Sequence, residues 1–583
     1  MNIIGISCFY HDAAACLLQN GKLVSAAQEE RFSRIKHDKA FPNKAIAFCL
    51  KANNLNISDI DLIVFYEKPF IKFDRIINTL LNQTPFTFSL FRDTLMSWLK
   101  SKLWVSSIIK EELDYKGEII YSEHHEAHAA GSFFTSPFKE AVIVTIDGVG
   151  EKACTSISVG KNNKVEIIKE QHYPHSIGLL YSAFTQYCGF KVNSGEYKLM
   201  GLAPYGKPIY KQLILDNMVR YDSSGLVDLN LSCFSFEKGK STINAKFCNV
   251  FGKKQRALDG EMEDFYCDIA SSIQAVIEDI ICTVLKHAKE LTGLNNLCLS
   301  GGVALNCKAN GELLGKDLFD NIWVQPASGD SGCSVGAAYV GWNNYLKKER
   351  IYLKDSLKDQ AYLGSSYSDE DIEKCLNSYK LTYQRLDNAT LCDMVSSALQ
   401  QKQIVGWFQD EMEFGPRALG HRSILASPLF EDMKKHVNLN IKFREGFRPF
   451  APIVLEEDCN EWFDMKDVIS KYMLFTVKSD KKKEIPSCIH EDNTARVQTL
   501  NKAENPLLHN LISDFKVKTD CPVLINTSFN VRGEPIVESP LDALRCFFYT
   551  KMDLLVLGNF VLQKQDNLEV DQQLIVSENY ELD

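Results

Sequence analysis

At 583 residues, 45% hydrophobic and 24% charged, the chain has the composition of a soluble globular protein. It exceeds the roughly 250–300 residues that one core serves, so two or three domains are expected. A formal net charge of −10 excludes a broad nucleic-acid surface, so any anion site must be local.

The start, MNIIGISCFYHDAAACLL, lacks a basic leader and carries His11 and Asp12 inside its apolar stretch. No uncharged run approaches the ~18 residues of a membrane span. Neither signal peptide nor anchor is expected, and the expected location is the cytoplasm. The eighteen cysteines are scattered singly with no Cys-x-x-Cys pair, which reads as reduced core thiols.

Residues 3–30 read as strand Ile3–Ser7, strand Ala13–Leu18, an Asn20-Gly21 hairpin turn and strand Lys22–Ala27. Helix Asn43–Ala52, strand Leu62–Tyr66 and an aromatic-rich insert around Phe70–Leu103 follow. Then YSEHHEAHAAGSF, Tyr121–Phe133, gathers three of the twelve histidines. His124 and His128 are four apart, so on a helix both rings share one face, a spacing that a divalent ion can bridge. The alternative is two histidines that merely cap or solvate a helix. His125 falls off that face, and the zinc-protease pattern is excluded because Ala129 stands four after His125.

The opening plan then returns. Strand Val142–Ile146, the turn Asp147-Gly148-Val149-Gly150, strand Cys154–Val159, a turn at Gly160–Lys164 and strand Val165–Ile168 repeat the first meander, which suggests a duplication. Each copy sets an acidic turn between its first two strands, Tyr10-His11-Asp12 and Asp147-Gly148-Val149-Gly150. There an aspartate can hold a metal and glycine amides can approach a phosphate. Residues 189–206, with Gly195, Glu196 and Lys198, could cradle a phosphate, though plain turn chemistry uses the same residue types. Glu263–Thr292 has helical apolar spacing and leads through strand Leu297–Leu299 to Ser300-Gly301-Gly302-Val303-Ala304-Leu305-Asn306, a strand–diglycine–helix arrangement suited to nucleotides. Asp330, in a turn before helix Ser334–Tyr339, completes a two-histidine, two-carboxylate metal set with His124, His128 and Asp147.

The polar stretch Asn343–Lys358 reads as a linker. Beyond it come helix Asp369–Asn377, strand Leu381–Leu386, helix Thr390–Gln401 and strand Ile404–Phe408. Two basic segments follow, FGPRALGHRS with Arg417 and Arg422, and KFREGFRPF with Lys442 and Arg448. They are either a pocket for phosphate or carboxylate or a solvated face. VLINTSFN, Val523–Asn530, reads as a buried strand, Leu541–Phe548 as a helix, and the residues after Gln565 as a polar tail.

Taken in order, YHDAAA, EERFSRIKHD, HHEAHA, DGVGE, GEYKLMGLAPYG, SGGVALN, GDSG, FGPRALGHRS, KFREGFRPFAP and NTSFN resemble the nodulation-protein-U and cephem carbamoyltransferase family from residue 1 to about 565. The resemblance implies an α/β protein with two domains. A duplicated actin-like (ASKHA, threonylcarbamoyl-transferase-like) domain spans 1–345, a linker 346–360, a smaller YrdC-like α/β domain 361–565 and a tail 566–583.

It also implies an ATP-dependent O-carbamoyltransferase of antibiotic, toxin or other natural-product biosynthesis. Carbamoyl phosphate and ATP would give carbamoyl-adenylate, and the carbamoyl group would pass to a small-molecule hydroxyl. By the same resemblance His124, His128, Asp147 and Asp330 hold a divalent metal, usually iron, with manganese or magnesium as alternatives. Gly148, Gly195, Lys198, Gly301, Gly302 and Asn306 meet the nucleotide. Lys36, Arg417, Arg422, Lys442, Arg448, Asn526 and Ser528 meet carbamoyl phosphate, while His11, with Asp12, is the general base. No nucleic-acid or membrane partner is expected, and a homodimer stays open. The rival readings are a small-molecule kinase of the actin-like fold, a tRNA threonylcarbamoyl transferase and an inactive nucleotide-binding regulator.

Overall fold

The computed structural model describes residues 1–84, 87–239, 241–258, 260–352, 361–466, 468–569 and 574. The chain forms two compact units, Met1–Glu29 with His37–Asp355, and Glu30–Lys36 with Ser356–Leu582. The expected linker and tail lie partly outside the described residues.

The first unit contains two five-stranded sheets of the same plan. One runs, edge to edge, Lys22–Gln28, Ala14–Gln19, Asn2–Ser7, Leu62–Phe65 and Glu118–Tyr121. The other runs Lys164–His172, Ala153–Lys161, Glu140–Ile146, Asn296–Ser300 and Asn321–Val324. In each, three antiparallel strands form a meander and two further strands add in parallel beside the first. Identical strand order in two halves is the duplicated actin-like architecture that the repeated meander foretold.

Local chemistry explains the register. Asn20 and Gly21 have φ of 49° and 82°, the paired left-handed values of a hairpin turn whose twist suits the flanking strands. Ile3, Ile4 and Ile6 are fully buried, because a strand covered on both faces needs no polar alternation.

The histidine helix, His124–Thr135, packs on the short helix Cys333–Tyr339. That approach leaves little room for side chains: a Cβ on Gly336 would lie 1.7 Å from the Ala127 carbonyl oxygen, and one on Gly131 3.2 Å from that of Gly332. Backbone therefore touches backbone, which fixes the distance between the two helices more tightly than side-chain packing could.

The stretch 189–206 is not an open glycine loop. Glu196–Leu202 is helical and Lys198 is 2% exposed, because Glu196, Tyr197, Lys198, Leu199 and Met200 are adequate helix formers once Gly195 starts the turn. The aromatic insert is also helical, at Pro69–Asn82, Phe88–Ser97 and Val105–Leu113.

The second unit is built on an eight-stranded mixed sheet. Its order is Gln384–Arg385, Phe560–Gln563, Leu554–Leu557, Val405–Phe408, Arg422–Ala426, Val523–Ser528, Ala451–Leu455 and Gln498–Leu500. The strand expected at Leu381–Leu386 shrinks to Gln384–Arg385, because the Thr382 amide donates instead to Asn567 Oδ1 at 2.8 Å. The sequence reading lacked the strands Arg422–Ala426, Ala451–Leu455, Gln498–Leu500, Leu554–Leu557 and Phe560–Gln563. All eighteen cysteines are unpaired, sixteen of them buried. No helix among the described residues is long and apolar enough to cross a membrane.

Replacing Gly336 by alanine should destabilise the protein by about 1–3 kcal/mol through overpacking. Thermal unfolding of Gly336→Ala beside Gly315→Ala, where an added Cβ meets nothing within 4 Å, measures the difference, and equal melting temperatures would contradict the close approach.

Candidate metal centre and anion-binding site

His124 and His128 sit on the first two turns of the histidine helix, whose start is held by three carboxylates. Glu123 and Glu126 form a capping box. Glu151, 6% exposed, accepts the His124 backbone N–H with both oxygens at 3.0 Å, and negative charge at a helix N-terminus is favoured. Asp147 follows strand Glu140–Ile146, and its Oδ1 accepts the Gly302 amide at 3.0 Å. The diglycine serves this approach, since Gly301 has φ of 86° and a Cβ there would lie 2.3 Å from the Ile146 oxygen. Asp330 begins the turn leading into helix Cys333–Tyr339.

These four side chains converge. One donor atom from each of His124, His128, Asp147 and Asp330 lies within 4.8 Å of every other. His124 Nε2 is 3.4 Å from Asp147 Oδ2 and 3.8 Å from Asp330 Oδ1, and His128 Nε2 is 3.7 Å from Asp330 Oδ1. Such separations are long for hydrogen bonds. They match two donors placed about 2.1 Å from a shared cation at a tetrahedral angle, roughly 3.4 Å apart. His128 Nε2 is buried without a hydrogen-bond partner, a desolvation cost that a bound cation would remove. The residues fit a divalent ion.

The electrostatics of the bare cluster agree. Burial lowers the pKa of His124, but Asp147 and Asp330 outweigh it and raise it to about 9. His11, whose Nε2 is 3.8 Å from Asp330 Oδ2, is likewise lowered by burial yet carried up to about 10 by Asp330 and Asp12. Without an ion the carboxylates hold protons on the imidazoles, and a divalent cation would displace them. His125, by contrast, pairs its Nδ1 with Ser156 Oγ at 2.8 Å, and burial pushes its pKa well down. It is a packed structural histidine.

The expected nucleotide residues of the first unit divide. Gly148 has open space where a Cβ would be, and Gly195 is the N-cap of helix Glu196–Leu202. Gly302 donates its amide to Asp147. The Asn306 side chain accepts the Ala309 N–H at 3.0 Å and meets Gln274, whose partners include Tyr181 and Glu278. That network was absent from the sequence reading.

In the second unit the basic residues also divide. Arg422 is fully buried. It donates to the carbonyls of Gln409, Asp410 and Ser365 and lies 3.6 Å over the Phe408 ring, and burial lowers its pKa to about 10. Lys442, 3% exposed, donates to the Ser528 carbonyl, to the Asn530 carbonyl at 2.9 Å and to Asn530 Oδ1 at 2.6 Å. Burial, with Arg444 beside it, pushes its ammonium well below the usual lysine range. Both side chains are held by internal acceptors. Asn526 is buried against Gln498 Oε1 at 2.7 Å, and Ser528 Oγ donates to Asn530 Oδ1 at 2.7 Å.

Arg417, Arg448 and Lys36 remain partly accessible. Arg417 rides a loop folded round the buried Glu413, whose Oε1 accepts the amides of Leu419, His421 and Arg422 at 2.6, 2.9 and 3.2 Å. Arg448 and Arg532 both approach Glu445, at 3.5 and 3.6 Å. Lys36 belongs to a strap, Glu30–Lys36, that two arginines fasten into this unit. Arg31 donates to the Gly415 carbonyl at 2.8 Å, and Arg34 to Glu534 at 2.9 Å and the Ile536 carbonyl at 2.7 Å. The sequence reading missed Glu413, Glu445, Arg532 and Arg34; an acidic residue beside a Gly-Pro-Arg turn was the one available signal.

Comparison with known proteins decides the family. Residues 2–339 match the carbamoyltransferase N-terminus model and residues 396–564 the carbamoyltransferase C-terminus model. The chain belongs to the carbamoyltransferase family. It is 44% identical to an uncharacterized protein of Synechocystis sp. over the whole of both chains. It is also 33% identical to nodulation protein NolNO of Sinorhizobium fredii, over 96% of this chain and 79% of that protein. Nodulation protein NolO of Bradyrhizobium diazoefficiens is 36% identical over 76% of this chain and 79% of its own length. The protein is thus a carbamoyltransferase enzyme.

Elemental analysis of purified protein should find about one divalent ion per chain, and His128→Ala or Asp330→Asn should retain under about a tenth of it, since losing one ligand of four opens the site. Undiminished metal in both variants, with unchanged circular dichroism, would contradict the cluster.

Proposed function

We propose that this carbamoyltransferase couples ATP to O-carbamoylation of a small-molecule hydroxyl in natural-product biosynthesis. In the second unit, carbamoyl phosphate, water and ATP yield carbamoyl-adenylate, orthophosphate and pyrophosphate; atom balance requires the orthophosphate. Arg417, Arg448 and Lys36 offset the phosphate charge there, because guanidinium groups meet phosphate in bidentate fashion and cost no reorganisation when pre-placed. Arg422, Lys442, Asn526 and Ser528 keep the wall that carries them. The acceptor chemistry belongs to the first unit: the hydroxyl oxygen bonds to the carbamoyl carbon, the bond to the adenylate phosphate oxygen breaks and AMP leaves, with Gly148, Gly195, Lys198, Gly301, Gly302 and Asn306 around that nucleotide.

A divalent ion on His124, His128, Asp147 and Asp330 would supply Lewis-acid polarisation, and the two imidazoles favour iron(II) over magnesium or manganese. His11 takes the hydroxyl proton at Nε2. Its Nδ1 is committed to Asp12 at 2.9 Å, which leaves Nε2 as the basic atom. Asp12 stays ionised, since hydrogen bonds from His11 and His37 outweigh its burial and hold its carboxyl far below the usual range.

The observation that carries this reading is the pairing, in one carbamoyltransferase chain, of a buried two-histidine, two-carboxylate cluster beside His11 with a separate arginine-bearing unit. Arg417→Ala should lower carbamoyl-phosphate-dependent pyrophosphate release about 100-fold or more, as loss of a charge-stabilising donor does. His11→Asn should leave that release intact and stop transfer. Equal loss of both partial reactions in His11→Asn would contradict the division of labour.

A further inference from the structure

Asp12 has two partners, and the reaction as described uses only one. Its Oδ2 meets His11 Nδ1 at 2.9 Å and its Oδ1 meets His37 Nδ1 at 2.8 Å. An ionised carboxylate only accepts, so both Nδ1 atoms carry hydrogens. A carboxylate held by one oxygen can still turn about its terminal torsion, which is broad. Held by both, it presents Oδ2 to His11 in one orientation. That fixes the neutral His11 tautomer with its lone pair on Nε2, the atom 3.8 Å from Asp330.

The backbone points the same way. Phe9, Asp12 and His37 have φ of 75°, 51° and 55°, in the left-handed region that costs non-glycine residues of order 1–3 kcal/mol each and persists only where surroundings dictate it. Closing the two loops does not need the imidazole. The Phe9 amide already donates to the Lys39 carbonyl at 2.8 Å and the Ala13 amide to the Asp38 carbonyl at 2.7 Å. The His37 side chain adds a donor on the second oxygen of Asp12.

We infer that His37 is a positioning residue for carbamoyl transfer, clamping Asp12 so that His11 keeps its Nδ1–H tautomer and its aim at the acceptor hydroxyl. The inference rests on His11 being the base. Outer partners of this kind cost about 10–100-fold in activity when lost.

The test uses three substitutions in the full-length protein. In asparagine the amide nitrogen is bonded to Cγ, as Nδ1 is, so His37→Asn can donate from the same place. Glutamine puts its nitrogen one bond further out, and alanine offers none. Low-field proton NMR reads imidazole N–H groups bound to carboxylates, and His11→Asn identifies the His11 signal. That signal should persist in His37→Asn and shift or broaden away in His37→Ala and His37→Gln.

In parallel, radiolabelled carbamoyl phosphate with ATP, and water as the acceptor, reads discharge of the carbamoyl group. Discharge should fall about 10–100-fold in His37→Ala and recover to within about threefold in His37→Asn, with pyrophosphate release unchanged throughout. An unmoved His11 signal in His37→Ala, asparagine no better than alanine, or parallel loss of pyrophosphate release would overturn the inference. If the wild-type protein releases no pyrophosphate at all, the functional reading fails, while the resonance still decides whether His37 holds Asp12.

Discussion

Two helices of the first unit meet backbone to backbone at Gly336, and the convergence of His124, His128 and Asp330 follows from that contact. Gly336 lies against the Ala127 carbonyl and Gly131 against Gly332. The histidine helix is thereby set against the turn that delivers Asp330, and a displacement comparable to one methyl group would separate His128 from its carboxylate. The second meander then brings Asp147 from the opposite sheet, braced by the Gly302 amide. The duplicated fold supplies two strand-to-strand turns, and the chain has put His11 and Asp12 on one and Asp147 on the other.

The second unit handles charge differently. Arg422 and Lys442 are spent inward on carbonyl oxygens, and the buried Glu413 gathers three amides. A buried cation held by several carbonyls specifies a loop conformation at a desolvation cost that a solvated cation avoids. The reward is a fixed loop carrying Arg417, and a strap carrying Lys36 whose own arginines bond to carbonyls of the same unit. Under the proposed role in carbamoyl-phosphate binding, such rigidity means that charge placed before binding need not be reordered during reaction.

Much of this was legible beforehand because it is written in local periodicity. His124 and His128 share a helical face by spacing alone, the Asn20-Gly21 turn announces a hairpin, and the repeated meander announces two alike sheets. The distinction between Arg417 and Arg422 was not legible. Five residues apart in one basic run, they differ only in that Arg422 opens a central strand whose neighbours are backbone carbonyls, which tertiary packing alone decides. The helix Glu196–Leu202 was not legible, because Gly195 and Gly201 interrupt its pattern with turn-forming residues. His37 carried no signal, since its link to Asp12 spans twenty-five residues and depends on left-handed backbone that sequence does not announce for histidine.

The proposed function turns on adenylation of the carbamoyl group before its transfer. Incubating the purified, metal-loaded enzyme with ATP, with and without carbamoyl phosphate, and separating pyrophosphate, AMP and ADP tests this directly. Pyrophosphate is expected only when carbamoyl phosphate is present. ADP as the nucleotide product, or ATP consumption indifferent to carbamoyl phosphate, would contradict it.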